Sequence, residues 1–391
     1  MKLFGVRTFL YIIIMGIFLL GINYIFVPKY SPMVSKNNFD EKLKGTYLLN
    51  NSPENNVVYL GASELNSKFI QSHPSNFFSD ENDFLVNTVG RGSCQSIVFA
   101  SLLGAVEGFD NKKVAITFSP QSFVEGGIPS DMYFANFSPL HYLEIQDNEK
   151  LSKETKDKFL NRFKTLDEQY TKQTGDKSSF YNSRVITKAY LSETFKDKVT
   201  KVLIKPYVAM NKAFLKLSDR THSYVATKSL EVYGADRPKN IDYEAEQDNM
   251  IAYGIEASSN NEFQMDNDYY NVYIGQRLER LEGRDAKITY DNSVEYDDVE
   301  LLLEVCQELN IEPLIFVHPF HAKWSDYAGI DIDTRYAYYD KIDKLLSSYN
   351  ANYVNMANME YVDYYMCDVL HYGWLGWLDV DKRISEFYYE N

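Results

Sequence analysis

The chain has 391 residues, 45% of them hydrophobic, with three cysteines and a formal net charge of −15. That length and apolar content support one large or two modest cores and exclude a small disulfide-stapled scaffold. The acidic balance excludes a general binder of nucleic acid or anionic membrane, so any polyanionic partner must be met by a local basic patch.

From Thr8 to Val27 the chain carries no charge, and at about 1.5 Å per residue this stretch spans the roughly 30 Å hydrocarbon layer of a membrane. Asn23, Tyr24, Ile25 and Phe26 stand where a cleaved signal peptide would place small residues, so residues 1–29 are predicted to be a retained anchor. Lys2 and Arg7 precede the span and only Lys29 follows it closely. This predicts a single-pass protein of the cell membrane with a cytoplasmic N-terminus and an extracellular body. Residues 30–56 are polar, without apolar period, and read as a linker.

Apolar runs follow at Val57 to Leu60, Phe84 to Val89, Val114 to Phe118, Leu314 to Val317 and Asn352 to Asn355, each bounded by turn or polar residues. They have the length and composition of strands buried on both faces. Helical spacing between them, at Ser96 to Glu107, Val299 to Leu309 and Tyr336 to Ser348, predicts a doubly wound α/β sheet over residues 57–391. The stretch from about 130 to 288 breaks the alternation and reads as a helical insertion, charged at first and then rich in Tyr, Asn and Asp.

Two distant segments carry candidate chemistry. Ser63 follows the first strand in Gly61-Ala62-Ser63-Glu64-Leu65, beyond the carboxyl end where open α/β sheets bind ligands. By itself it is equally an N-cap, although Asn66 lacks the acid of a full capping box. Near the other end, Asp368 precedes His371 by three residues, so one turn lets the carboxylate fix the imidazole tautomer while the far nitrogen meets a serine hydroxyl. Together they predict a Ser63, Asp368, His371 triad. Gly92 after the second strand and Gln121 after the third are candidate oxyanion groups, and Arg91 and Lys323 are candidate substrate-binding cations.

Other chemistries lack their motifs: there is no G-x-S-x-G elbow, Ser-x-x-Lys pair, Walker loop or Cys-x-x-Cys. His318 and His321 have no H-E-x-x-H context or third ligand, so no metal site is expected.

The anchor, the Gly61 to Leu65 turn, Ser119-Pro120-Gln121 and the terminal Asp368-x-x-His371-x-Gly373-x-x-Gly376-Trp377 pattern resemble the DltD family of teichoic acid D-alanylation proteins. The His318 to Gly329 stretch fits as well. Ala62 and His321 depart from the family's usual Ser and Asn. The resemblance implies an SGNH/flavodoxin-like doubly wound parallel sheet, with Gln121 in the place of the SGNH oxyanion asparagine. It also implies D-alanyl transfer onto lipoteichoic acid outside the cell, with a membrane O-acyltransferase and a D-alanyl carrier protein as pathway partners. Exchange of one D-alanyl ester or thioester for another ester needs no nucleotide or other cofactor. The triad alone leaves open another cell-wall O-acyltransferase or esterase, and a non-catalytic scaffold for the carrier or the acyltransferase.

Overall fold

The computed structural model describes residues 30–390 apart from 79–82, 110–111, 193 and 229–240, together with scattered positions between 10 and 28. The expected anchor falls mostly outside them. Among the described residues no helix is long and apolar enough to cross a membrane.

Strands β1 (Asn56–Gly61), β2 (Leu85–Gly90), β3 (Lys113–Phe118), β4 (Leu314–Val317) and β5 (Asn352–Asn355) form one sheet in the order β2-β1-β3-β4-β5. Every pairing is parallel. Each strand lies within a residue of its expected limits, because runs such as VVYL and LIFV fit only a site buried on both faces. Side chains alternate strictly. Val58, Leu60, Val114, Ile116, Ile315 and Val317 enter one core, and Val57, Tyr59, Ala115, Leu314 and Phe316 enter the other.

Around the sheet lie helices α1 (Ser96–Ala105), α2 (Pro139–Asp147), α3 (Lys153–Thr174), α4 (Tyr181–Leu191), α5 (Phe195–Lys228), α6 (Tyr243–Ala257), α7 (Glu295–Glu308), α8 (Ala322–Ala328), α9 (Ile332–Ser348) and α10 (Trp374–Tyr389). Helices α1, α7 and α9 supply Leu102, Val299, Leu302 and Ile342 to the first core. The second core takes Trp374, Trp377 and Ile384 from α10 and Met250 from α6. Helices α2 to α6 all fall between β3 and β4, where the alternation breaks. Ser152 caps α3 by accepting from the Thr155 N–H at 3.1 Å, and Gly175, at φ +75°, closes it.

Residues 30–56 are not the spacer expected from their polarity. They fold into turns of helix at Pro32–Lys36, Asp40–Lys44 and Tyr47–Asn50 that bury Val34, Leu43, Leu48 and Leu49. Lys42, fully buried, donates to the carbonyls of Val34, Ser35 and Asn37 at 2.9, 3.1 and 2.7 Å, and burial pulls its pKa well down. Polarity misled because these polar groups satisfy one another and the body instead of water.

Candidate active site

In this strand order β1 is the point at which successive connections diverge, to β2 on one side and to β3 on the other. A crevice opens there beyond the carboxyl ends of the strands. Ser63 sits at that crevice, opening a 3₁₀ turn (Ser63–Asn66) directly after β1. Beside it the β2 tip must pass extremely close to β1: Gly90 has φ +151°, and a Cβ there would meet the Gly61 carbonyl oxygen at 1.7 Å, so only glycine fits. The chain then brings Gly92 against the serine, where a Cβ would lie 3.9 Å from that of Ser63.

Asp368 and His371 arrive from a loop 305 or more residues later in the chain, held by its own backbone. Met366 and Tyr372 form an antiparallel bridge, Gly373 N–H donates to the Tyr365 carbonyl at 2.7 Å, and Cys367 N–H donates to the His371 carbonyl at 3.0 Å. A Cβ on Gly376 would lie 2.3 Å from the Tyr365 carbonyl oxygen, which accounts for the Gly-x-x-Gly spacing at the start of α10. The insertion braces the same loop, since Asp266 N–H donates to the Cys367 carbonyl at 2.7 Å.

Within this frame the three expected side chains meet. Asp368 Oδ1 accepts from the backbone N–H groups of Leu370 and His371 at 2.8 and 2.9 Å, while Oδ2 lies 2.7 Å from His371 Nδ1. His371 Nε2 lies 2.8 Å from Ser63 Oγ. Burial works to lower the His371 pKa, but the hydrogen bond and charge of Asp368, with the charge of Glu64, outweigh it and leave the pKa raised. An imidazole held between a buried carboxylate and a hydroxyl is placed to take the proton of that hydroxyl.

Glu64 is a functional neighbour that motif reading passed over. Its buried carboxylate accepts from the Ala62 N–H at 2.7 Å, removing that donor from any oxyanion site, and burial raises its pKa. A carboxyl immediately following a candidate nucleophile was the available signal. His318 is buried beside the histidine loop. Its ring lies 4.0 Å from that of Tyr372, its Nδ1 is 2.7 Å from the Pro319 carbonyl oxygen, and burial pushes its pKa down to about 3. His321, likewise lowered to about 4 by burial, caps α8 by accepting from the Trp324 N–H at 3.3 Å.

A cleft of about 220 Å³ adjoins the histidine loop, lined by Gln121, His318, Phe320, Val369 and Leu370 among others. It suits a small acyl group better than a long chain. The two candidate cations are already engaged. Arg91 is held by Asp40 at 2.8 and 3.0 Å and by Asn136 at 2.6 Å, so it pins the Gly92 loop to the segment preceding β1. Lys323 donates to Asp363 at 2.6 Å and Gln264 at 2.8 Å.

Comparison with known proteins agrees with the motifs. The model of the DltD protein family matches residues 32–389. The chain belongs to the DltD family. Curated relatives, each named Protein DltD, share 28% identity in Bacillus subtilis (84% of this chain, 81% of the relative) and 26% in Lacticaseibacillus rhamnosus (88% and 80%). A third, from Staphylococcus aureus, is 25% identical over 89% of this chain and 85% of its own length. The family match starts at Pro32, so it takes in the helical turns of residues 32–50 that brace the β2 tip.

Proposed function

We propose that this DltD-family protein is a serine acyltransferase that moves D-alanyl groups onto lipoteichoic acid outside the cell. The observation carrying the reading is the chain of short hydrogen bonds from Asp368 through His371 to Ser63 at the crevice of the sheet. In the first half-reaction His371 takes the proton of Ser63 as Oγ bonds to the carbonyl carbon of a D-alanyl ester or thioester. The bond to the donor then breaks, and the proton passes from His371 to the leaving group. In the second, His371 takes the proton of an acceptor hydroxyl, which attacks the alanyl-serine, and Ser63 recovers its proton.

The backbone at Gly92 and the side chain of Gln121 are the proposed oxyanion donors; Gly92 abuts Ser63 and Gln121 lines the adjoining cleft. Lys323 would contact an acceptor phosphate in competition with Asp363. We read the fold as SGNH-like and residues 1–29 as a single membrane anchor with a cytoplasmic N-terminus. The exposed Leu10, Tyr11, Ile14, Ile17 and Phe18 support the anchor. The membrane O-acyltransferase and the D-alanyl carrier protein of the pathway are the proposed partners.

The test is the D-alanine ester content of teichoic acid in cells lacking this protein, complemented at matched expression with wild type, Ser63→Ala or His371→Ala. Restoration by wild type and by neither variant is expected. Restoration by the variants would leave a scaffold, and unchanged esters in the deletion would remove the D-alanylation assignment.

A further inference from the structure

Helix α5 is apolar on two opposite sides. Its inner face packs Ile204, Val208 and Leu215 against the first core. Turned away from these over about 30 Å of helix lie Phe195, Val199, Val202 and Leu203 and, beyond Pro206, Met210 and Phe214. Phe195, Val202, Leu203, Met210 and Phe214 are between 62% and 83% exposed. Single exposed apolar residues need no explanation, but six of them on one helix face do.

Charge narrows the choice of what covers the stripe. Between Phe195 and Lys216 the helix carries Lys196, Lys198, Lys201, Lys205, Lys212 and Lys216 against Asp197, in a chain whose net charge is −15. Lys198 and Lys205 project from the flank between the two apolar faces, where their stems cover apolar surface and their ammonium groups reach past it, whereas Lys212 and Lys216 pair with Glu144 and Asp147 of α2 and Lys201 lies over the Tyr190 ring. An apolar stripe bordered by lysines is the pattern of a helix lying in the headgroup region of an anionic bilayer. Position agrees: Asp219 of α5 accepts from the backbone N–H groups of Thr46 and Tyr47 at 2.8 and 2.9 Å, which ties the helix to the chain emerging from the apolar N-terminal stretch.

We propose that the outer face of α5 docks on the surface of an anionic lipid bilayer. The proposal does not depend on the chemistry at Ser63. Phe195 to Phe214 would seat among the acyl-chain ends of the headgroup layer, with the lysines at the phosphates, fixing the orientation of the body on the membrane.

Cys94, Cys306 and Cys367 are all buried, so an introduced cysteine can be labelled selectively. Val202→Cys, and Ile332→Cys on the N-terminal turn of α9 as the reference, are labelled with bimane in the full-length chain. The protein is then reconstituted in vesicles containing phosphatidylglycerol or in phosphatidylcholine alone. Expected is iodide quenching at 202 weaker than at 332 by a factor on the order of three in phosphatidylglycerol vesicles, with quenching by headgroup-region nitroxide lipid. High salt, or Lys196→Glu with Lys198→Glu and Lys205→Glu, should reverse the shielding. Equal iodide quenching at both positions in both vesicles overturns the proposal. So does shielding that appears only as protein density rises, with Val202→Cys chains cross-linking to one another, since a second copy would then cover the face.

Discussion

Asp368→Asn gives the most direct test of how the triad is built. The amide oxygen of asparagine can keep both backbone bonds that Oδ1 now accepts, from Leu370 at 2.8 Å and His371 at 2.9 Å, so the loop should retain its shape. The amide nitrogen then replaces Oδ2, now 2.7 Å from His371 Nδ1. Two N–H donors cannot face each other at that distance, so the imidazole moves its proton to Nε2. That nitrogen then points an N–H at Ser63 Oγ, 2.8 Å away, and has no lone pair to receive the serine proton. Loss of the correct tautomer with geometry intact lowers turnover about 10⁴-fold, roughly 5 kcal/mol of barrier. The assay is release or transfer of D-alanine from a small D-alanyl ester by the purified protein, with thermal unfolding measured in parallel. A variant within tenfold of wild type at unchanged midpoint would refute the role of Asp368 in setting the tautomer.

His371 must be neutral to act as a base, and its pKa is raised, so activity should climb with pH along a limb shifted upward from the ordinary histidine value. Glu64→Gln, which keeps an acceptor for the Ala62 N–H but removes a charge that raises His371, should move that limb to lower pH, as a pH–rate profile would show. The same raised pKa contributes stability below the unfolded histidine value that is lost as pH rises through the folded one, so the His371→Gln variant should show a flatter unfolding midpoint across that window. Gly376→Ala places a Cβ 2.3 Å from the Tyr365 carbonyl oxygen and should cost about 1–3 kcal/mol in urea unfolding while lowering activity further, since the displaced loop carries Asp368 and His371. Arg335→Leu removes the fully buried guanidinium that meets Glu360 at 3.1 Å and Asp326 at 2.7 Å, and should cost about 3–5 kcal/mol, much of it recovered in Arg335→Leu with Glu360→Leu.

The parts that were legible in the sequence share a local cause. Strands buried on both faces leave apolar runs, so β1 to β4 could be read one at a time, whereas the edge strand β5, Asn352 to Asn355, is half-exposed and is not the buried strand expected. The meeting of Ser63, Asp368 and His371 was legible because two of them share one turn and the third follows the first strand, and each half has meaning only beside the other. What stayed hidden depends on contacts far along the chain. Lys42, Asn38 and Asp40 look like solvent-facing residues of a linker, yet Lys42 is buried, Asn38 Oδ1 accepts from the Gly90 N–H at 3.1 Å and Asp40 holds Arg91. Likewise nothing near Asp266 announces that its N–H supports the loop of Asp368.

These long-range contacts bear on how the site works. The nucleophile turn has its own support in Glu64, whereas the Gly92 loop depends on residues 38–40 and the histidine loop depends on the insertion. Each half of the site is therefore braced by a segment outside the sheet. A chain beginning at residue 56, which would preserve every strand and Ser63, Asp368 and His371, should still lose activity, because Gly90 and Arg91 would lose Asn38 and Asp40 as partners. A chain beginning at residue 30 should retain the turnover of a soluble D-alanyl ester. If the two truncations hydrolyse that ester equally, the bracing by Asn38 and Asp40 has no part in the chemistry.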